Sequence, residues 1–242
     1  MHRFFKIFYI FIGLSSLNIL PAIGNNLAVL SYQAIEEKLT EKFKDQLEGV
    51  LIAIGIDGSL VRINDQYKAE MIDPYASEFM AKCLQKGARI LLLTGRHFED
   101  KNLYRTLEDI KNIDQGKTLS ILKKSWEDIA QKSGENIDDY QLSYEYACPE
   151  AQQKKMNSAL FIFGILFTRG QGEIPYKGEC LIKFFQLTKL SGIHSIILID
   201  DQEGYLDDFR EAFYNNPESF MNILNFQCCS FRHILHSRAL KY

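Results

Sequence analysis

The chain has 242 residues, 46% of them hydrophobic and 24% charged, with a net charge of −3. That composition supports a sizeable core and one domain carrying an insertion. It lacks the basic stretch that tracks nucleic acid, so no nucleic-acid partner is expected. No internal repeat, low-complexity tract or zinc-like Cys/His spacing occurs, and Cys228-Cys229 is a bare pair without metal-ligand geometry.

The N-terminus combines Arg3 and Lys6 with a mostly apolar stretch from Ile7 to Leu20, broken by Pro21 before Ala22-Ile23-Gly24. This order of charge, apolar run and small residues reads as a secretory signal peptide over residues 1–24, cleaved after Gly24. The apolar run is short of the ~20 residues a span requires, so no stable membrane span is expected. Residues 25–242 would then form the mature domain, exported to a periplasmic or extracellular compartment. It would carry five cysteines, an odd number that leaves at least one unpaired.

Ile35, Leu39, Phe43 and Leu47 recur every four residues and predict an amphipathic helix. Leu51 to Ile54 is a fully apolar run that predicts a buried strand, followed by Gly55, Asp57 and a Gly58-Ser59 turn. Val61 to Ile72 is polar and reads as a loop. Asp73-Pro74 marks a helix start, Phe79, Met80, Cys83 and Leu84 form its stripe, and Gly87 ends it. Arg89 to Arg96, RILLLTGR, predicts a second strand with Thr94 at its tip.

An insertion is expected between residues 97 and 158, mainly helical. Leu103, Leu107 and Ile110 mark one helix in it, and Ile121, Leu122, Trp126 and Ile129 another. Ser133 to Asn157 is polar and reads as irregular. Ala159 to Phe167 predicts a strand, and Tyr176-Lys177-Gly178 leads into a helix with Leu181, Phe184 and Phe185. Ser195 to Asp201, SIILIDD, predicts a last strand ending in Asp200 and Asp201.

Alternating strands and helices predict an α/β fold, a Rossmann-like parallel sheet with helices on both faces. Strand carboxyl ends share one edge of such a sheet, and ligands bind in the crevice there. Gly55, Asp57, Thr94, Lys177, Asp200 and Asp201 should therefore meet despite their sequence separation, with His97 close by. Taken singly, each has an ordinary explanation: Thr94 or the acidic pair capping a helix, Lys177 on the surface. Together, one lysine, one hydroxyl and several carboxylates suit a phosphoryl group and a hard cation such as Mg²⁺.

The four strand-tip and helix-start motifs, in this order, resemble those of the haloacid dehalogenase-like (HAD-like) hydrolases. That resemblance implies a nucleophilic Asp at position 55, an acid/base at Asp57, phosphate binding by Thr94 and Lys177, and Mg²⁺ held through Asp57, Asp200 and Asp201. Here the nucleophile position is Gly55, which offers no attacking oxygen and no metal ligand. Thr94-Gly95-Arg96, Gly164 to Thr168 and Tyr176-Lys177-Gly178, with the signal peptide, resemble a little-studied branch of that superfamily from bacteria living inside host cells.

Three functional readings are open. One is an exported, degenerate phosphatase-fold protein that binds a phosphorylated small molecule or protein with little or no turnover and weak or absent Mg²⁺. The alternative is a working Mg²⁺-dependent phosphomonoester hydrolase, or else a secreted host-interaction protein using the insertion. Lys177→Ala is expected to leave the fold intact, because a crevice lysine contributes little to packing. Gly55→Asp is expected to restore nucleophile and metal ligand in one change.

Overall fold

A computed structural model describes residues 22–23, 27–134, 140–147, 156–169, 176–190, 192–214 and 222–228. The expected signal peptide lies outside the described residues except for Ala22–Ile23. In chain order the elements are β1 (Ala22–Ile23), β2 (Leu27–Val29), α1 (Tyr32–Phe43), β3 (Val50–Gly55), β4 (Val61–Ile63), β5 (Ala69–Met71) and α2 (Ala76–Gln85). They continue with β6 (Arg89–His97), α3 (Asp100–Asn112), α4 (Lys117–Ser133), β7 (Gln141–Ala147), β8 (Met156–Ile162) and β9 (Ile165–Arg169). The last are α5 (Lys177–Thr188), β10 (Ser195–Asp200), α6 (Glu203–Tyr214) and β11 (Asn222–Cys228).

The main sheet runs β1-β11-β10-β3-β6-β9-β8-β7, with β2 also alongside β11. Pairing is parallel from β1 to β9 and antiparallel only at β9-β8-β7. Strand β3 lies between β6 and β10, and the chain builds outward from it in both directions. The gap between the tips of β3 and β10 is thus the point where strand order reverses.

The central strands are buried on both faces, which is why they read as continuous apolar runs rather than alternating ones. Ile52, Ile54, Leu92 and Ile197 face one core, shared with Ile35 and Leu39 of α1 and Phe79 and Met80 of α2. Leu51, Ala53, Leu93 and Leu198 face the other, shared with Leu181 and Phe184 of α5 and Phe209 of α6. Helix α4 contributes to both, Leu122 to the first and Trp126 to the second. It also completes the backbone of β6 before β9 joins: Ile90 donates its N–H to Ser125 Oγ at 2.7 Å and accepts from Trp126 Nε1 at 2.7 Å.

Three segments differ from the sequence reading. Val61 to Ile72 contains a two-stranded hairpin, β4 with β5, fastened by Arg62 on Glu70 at 2.6 Å. Its turn is an Asx turn, in which Asn64 Oδ1 accepts from Gln66 and Lys68. Ala159 to Phe167 is not one strand but parts of β8 and β9, joined at Phe163 (φ 53°) and Gly164 (φ 77°). Two successive positive φ values are what a tight hairpin of right-twisted strands requires. The polar stretch read as irregular holds β7, which extends the sheet at its antiparallel edge, so the described residues of 97–158 contain strand as well as the two expected helices.

Candidate functional site

The six residues singled out above lie along one edge of the sheet, and they divide into a buried group and an open one. Gly55 ends β3 beside Leu93 of β6. The chain then turns sharply: Val61 N–H donates to Ile56 O at 2.8 Å and Gly58 N–H to Val61 O at 3.0 Å. Gly58 adopts φ +80°, and a side chain there would run into the Asp201 carboxylate. The turn needs glycine for both reasons.

The buried group is Gly55, Thr94, Lys177 and Asp200, with Asp201 half-buried beside it. Asp200 ends β10 and is 1% exposed, and Lys177, 4% exposed, opens α5. Lys177 Nζ donates to Asp200 Oδ2 at 2.7 Å and sits 3.8 Å from the centre of the Tyr205 ring. Helix α5 can bring Lys177 this close because Gly178 packs on α6, where a Cβ would lie 2.8 Å from Asp208 O. Gly178 N–H also donates to Asp208 Oδ2 at 2.9 Å. Burial pushes the Asp208 carboxyl up to about 6.

The missing side chain at position 55 leaves room that Asp200 uses. A Cβ on Gly55 would lie 2.6 Å from Asp200 Oδ2 and 3.1 Å from Ser59 Oγ. Ser59 is 1% exposed and its hydroxyl has no hydrogen-bond partner among the described residues. Asp201 Oδ1 is likewise buried and unpartnered. Burial, then the neighbouring Asp200 charge, raises the Asp201 carboxyl to about 6. Thr94 is buried one residue beyond Leu93, and its Oγ1 accepts the Arg96 N–H at 3.0 Å.

Asp57 belongs to the open group. Arg96 grips it through Nε at 2.9 and 3.1 Å and through Nη2 at 2.6 Å. The same guanidinium donates from Nη1 to Asp109 Oδ2 at 2.7 Å, anchoring it to α3. Burial alone would lower the Arg96 pKa, but the Asp57 and then the Asp109 carboxylates hold it above its ordinary value. Next to this clamp opens a groove of about 340 Å³, lined by Asp57, Arg96, His97, Asn102, Arg105 and Thr106 among others.

As arranged, two of the three carboxylates expected at a Mg²⁺ ion, Asp57 and Asp200, are already engaged. Asp57 is taken up by Arg96, and Asp200 by Lys177 and the Gln202 N–H at 3.1 Å. Among the described residues no group of three or more His, Cys, Asp or Glu side chains is placed to hold a metal. The expectation that Lys177→Ala is harmless also needs correction, because Lys177 is half of a buried ion pair. Gly55→Asp meets a similar obstacle, since the added atoms fall where Asp200 already sits.

Sequence reasoning did not assign Arg96, although Thr94-Gly95-Arg96 was singled out, nor Ser59, Arg105 and Tyr205. Their roles depend on side-chain directions across separate elements, which no spacing rule carries. A family model described as "Protein of unknown function (DUF2608)" matches residues 27–232, most of the chain. No curated protein matches. The chain belongs to the DUF2608 family.

Proposed function

We propose that this member of the DUF2608 family is a HAD-like, phosphatase-fold protein that binds a phosphorylated ligand without turning it over. The single observation that carries this reading is the strand-tip constellation, Thr94, Lys177 and Asp200 around a position that holds Gly55. A lysine and a buried hydroxyl at the switch point of a parallel sheet suit phosphoryl oxygens. Glycine removes the atom that would attack phosphorus, so binding survives where covalent catalysis does not. The nearest carboxylate to the vacancy, Asp200, is buried and held by Lys177, which makes it a poor substitute nucleophile.

The protein's own residues divide the work of binding. Thr94 presents its hydroxyl and Lys177 its ammonium, which an oxyanion shares with Asp200 or takes from it. Arg96 holds Asp57 at the groove and compensates its charge there. No divalent cation is assigned a step. The N-terminal charge and apolar pattern further supports an exported protein, so the ligand class includes extracytoplasmic small phosphomonoesters and phosphorylated proteins of a host. Among the described residues, no helix is long and apolar enough to cross a membrane.

Thermal unfolding with and without inorganic phosphate or vanadate tests the reading, because a ligand that binds only the folded state raises Tm by mass action. The shift should vanish in Thr94→Val and in the double variant Lys177→Gln/Asp200→Asn, which keeps the buried site neutral and hydrogen-bonded. A parent protein indifferent to both oxyanions at millimolar concentration would exclude the reading.

A further inference from the structure

We infer that the groove beside Asp57 is a second anion subsite, in which Arg105 takes an acidic group of the same ligand. The ligand is then a small phosphorylated acid, its phosphoryl group at the strand tips and a carboxylate or second phosphate in the groove. The first half rests on the phosphoryl-binding reading above; the second rests on the groove itself.

Arg96 and Arg105 line this groove, Arg169 touches its wall only through His97, and the three guanidinium groups differ in what holds them. Arg96 is committed to Asp57 and Asp109. Arg169, at the end of β9, donates to His97 Nε2 and has a buried Nε without a partner. Arg105 is exposed and makes no ion pair or hydrogen bond among the described residues, while lining the cavity. Asp57 and Asp109 are both engaged by Arg96, so the lining cation with no counter-ion among the described residues is Arg105.

Side-chain chemistry on the groove wall points the same way. Asn102, Arg105 and Thr106 stand at i, i+3 and i+4 on α3 and therefore share one helix face. Because a guanidinium cannot accept, His97 Nε2 is the acceptor from Arg169, which leaves Nδ1–H as the donor of that ring. Arginine's planar fork matches a carboxylate or phosphate with two parallel hydrogen bonds.

Distance joins the two halves. Thr94 and His97 lie on one strand, three residues apart across a β-bulge, so they are separated by somewhat less than the roughly 10 Å of a fully extended run. A three-carbon phosphorylated acid is of that order of size.

Calorimetric titration of the purified protein with 3-phosphoglycerate, glycerol 3-phosphate and malonate separates the possibilities. The expected result is 3-phosphoglycerate binding about ten-fold tighter than glycerol 3-phosphate, an ordinary value for one charged hydrogen-bond pair. Arg105→Gln, an exposed substitution that leaves the fold alone, should erase that advantage and leave glycerol 3-phosphate binding unchanged. Malonate should bind weakly and depend on Arg105 but not on Thr94→Val. Equal binding of both phosphorylated probes, unaffected by Arg105→Gln, would overturn the subsite while leaving the phosphoryl reading intact. If malonate and 3-phosphoglycerate bind equally through Arg105 and glycerol 3-phosphate does not bind, the subsite stands and the phosphoryl reading falls. Absence of any Arg105-dependent binding would overturn the subsite outright.

Discussion

Two ion pairs stand at the tips of the central strands, and their surroundings are opposite. Lys177 and Asp200 keep 5% and 1% of their side chains in solvent, whereas Arg96 and Asp57 keep 19% and 52%. In the buried pair, removing one partner strands an uncompensated charge away from water. In the open pair, water screens the attraction and replaces a lost partner cheaply. The same chemistry is therefore part of the buried fold at one end of the crevice and open to water at the other.

The sharpest way to break this contrast is to delete one cation from the buried end. Lys177→Ala should cost about 3–5 kcal/mol, the usual loss for half of a buried pair. At this chain length that corresponds to roughly 2–4 °C in Tm for each kcal/mol. Lys177→Gln/Asp200→Asn should recover most of the loss, because both buried charges disappear together. A Lys177→Ala protein as stable as the parent would show that the pair is solvated.

A smaller effect is expected at Gly55, where the vacancy is already filled by the Asp200 carboxylate. Gly55→Ala should cost about 1–3 kcal/mol by overpacking against it. Chemical denaturation of Gly55→Ala, Asp200→Ala and the double variant should then be non-additive, the double losing less than the sum. Additivity would mean that the two positions do not compete for space. Gly55→Asp faces the same competition, so hydrolysis should appear in it only to the extent that Asp200 moves aside.

The smallest change belongs to the open end. Asp57→Asn should alter stability by no more than about 1 kcal/mol, as for other exposed pairs, measured by the same denaturation. A loss matching that of Lys177→Ala would erase the distinction between the two ends.

Much of this architecture was legible in the sequence, for physical reasons that also set its limit. Buried parallel strands need apolar residues on both faces, so Leu51 to Ile54, Ile90 to Leu93 and Ile196 to Ile199 announce themselves and carry Gly55, Thr94 and Asp200 to one edge. Lys177 was legible because it stands just ahead of the helical stripe Leu181, Phe184 and Phe185. The hairpins at Asn64 and at Phe163-Gly164 were not, because their turns are set by one side chain's hydrogen bonds or by a non-glycine residue at positive φ. The pairing of Asp57 with Arg96 was not legible either. Both residues lie at strand ends, but which carboxylate a guanidinium selects depends on the placement of α3 and Asp109.

The central claim is a crevice that binds a phosphoryl group and does not cleave it. One ³¹P NMR titration of glycerol 3-phosphate, with and without Mg²⁺, reads both halves at once. The expected result is a saturable shift or broadening of the phosphomonoester signal, weakened in Thr94→Val, with no inorganic phosphate accumulating over hours. A phosphomonoester signal indifferent to the protein, or a growing inorganic phosphate peak from the unmodified chain, would contradict it.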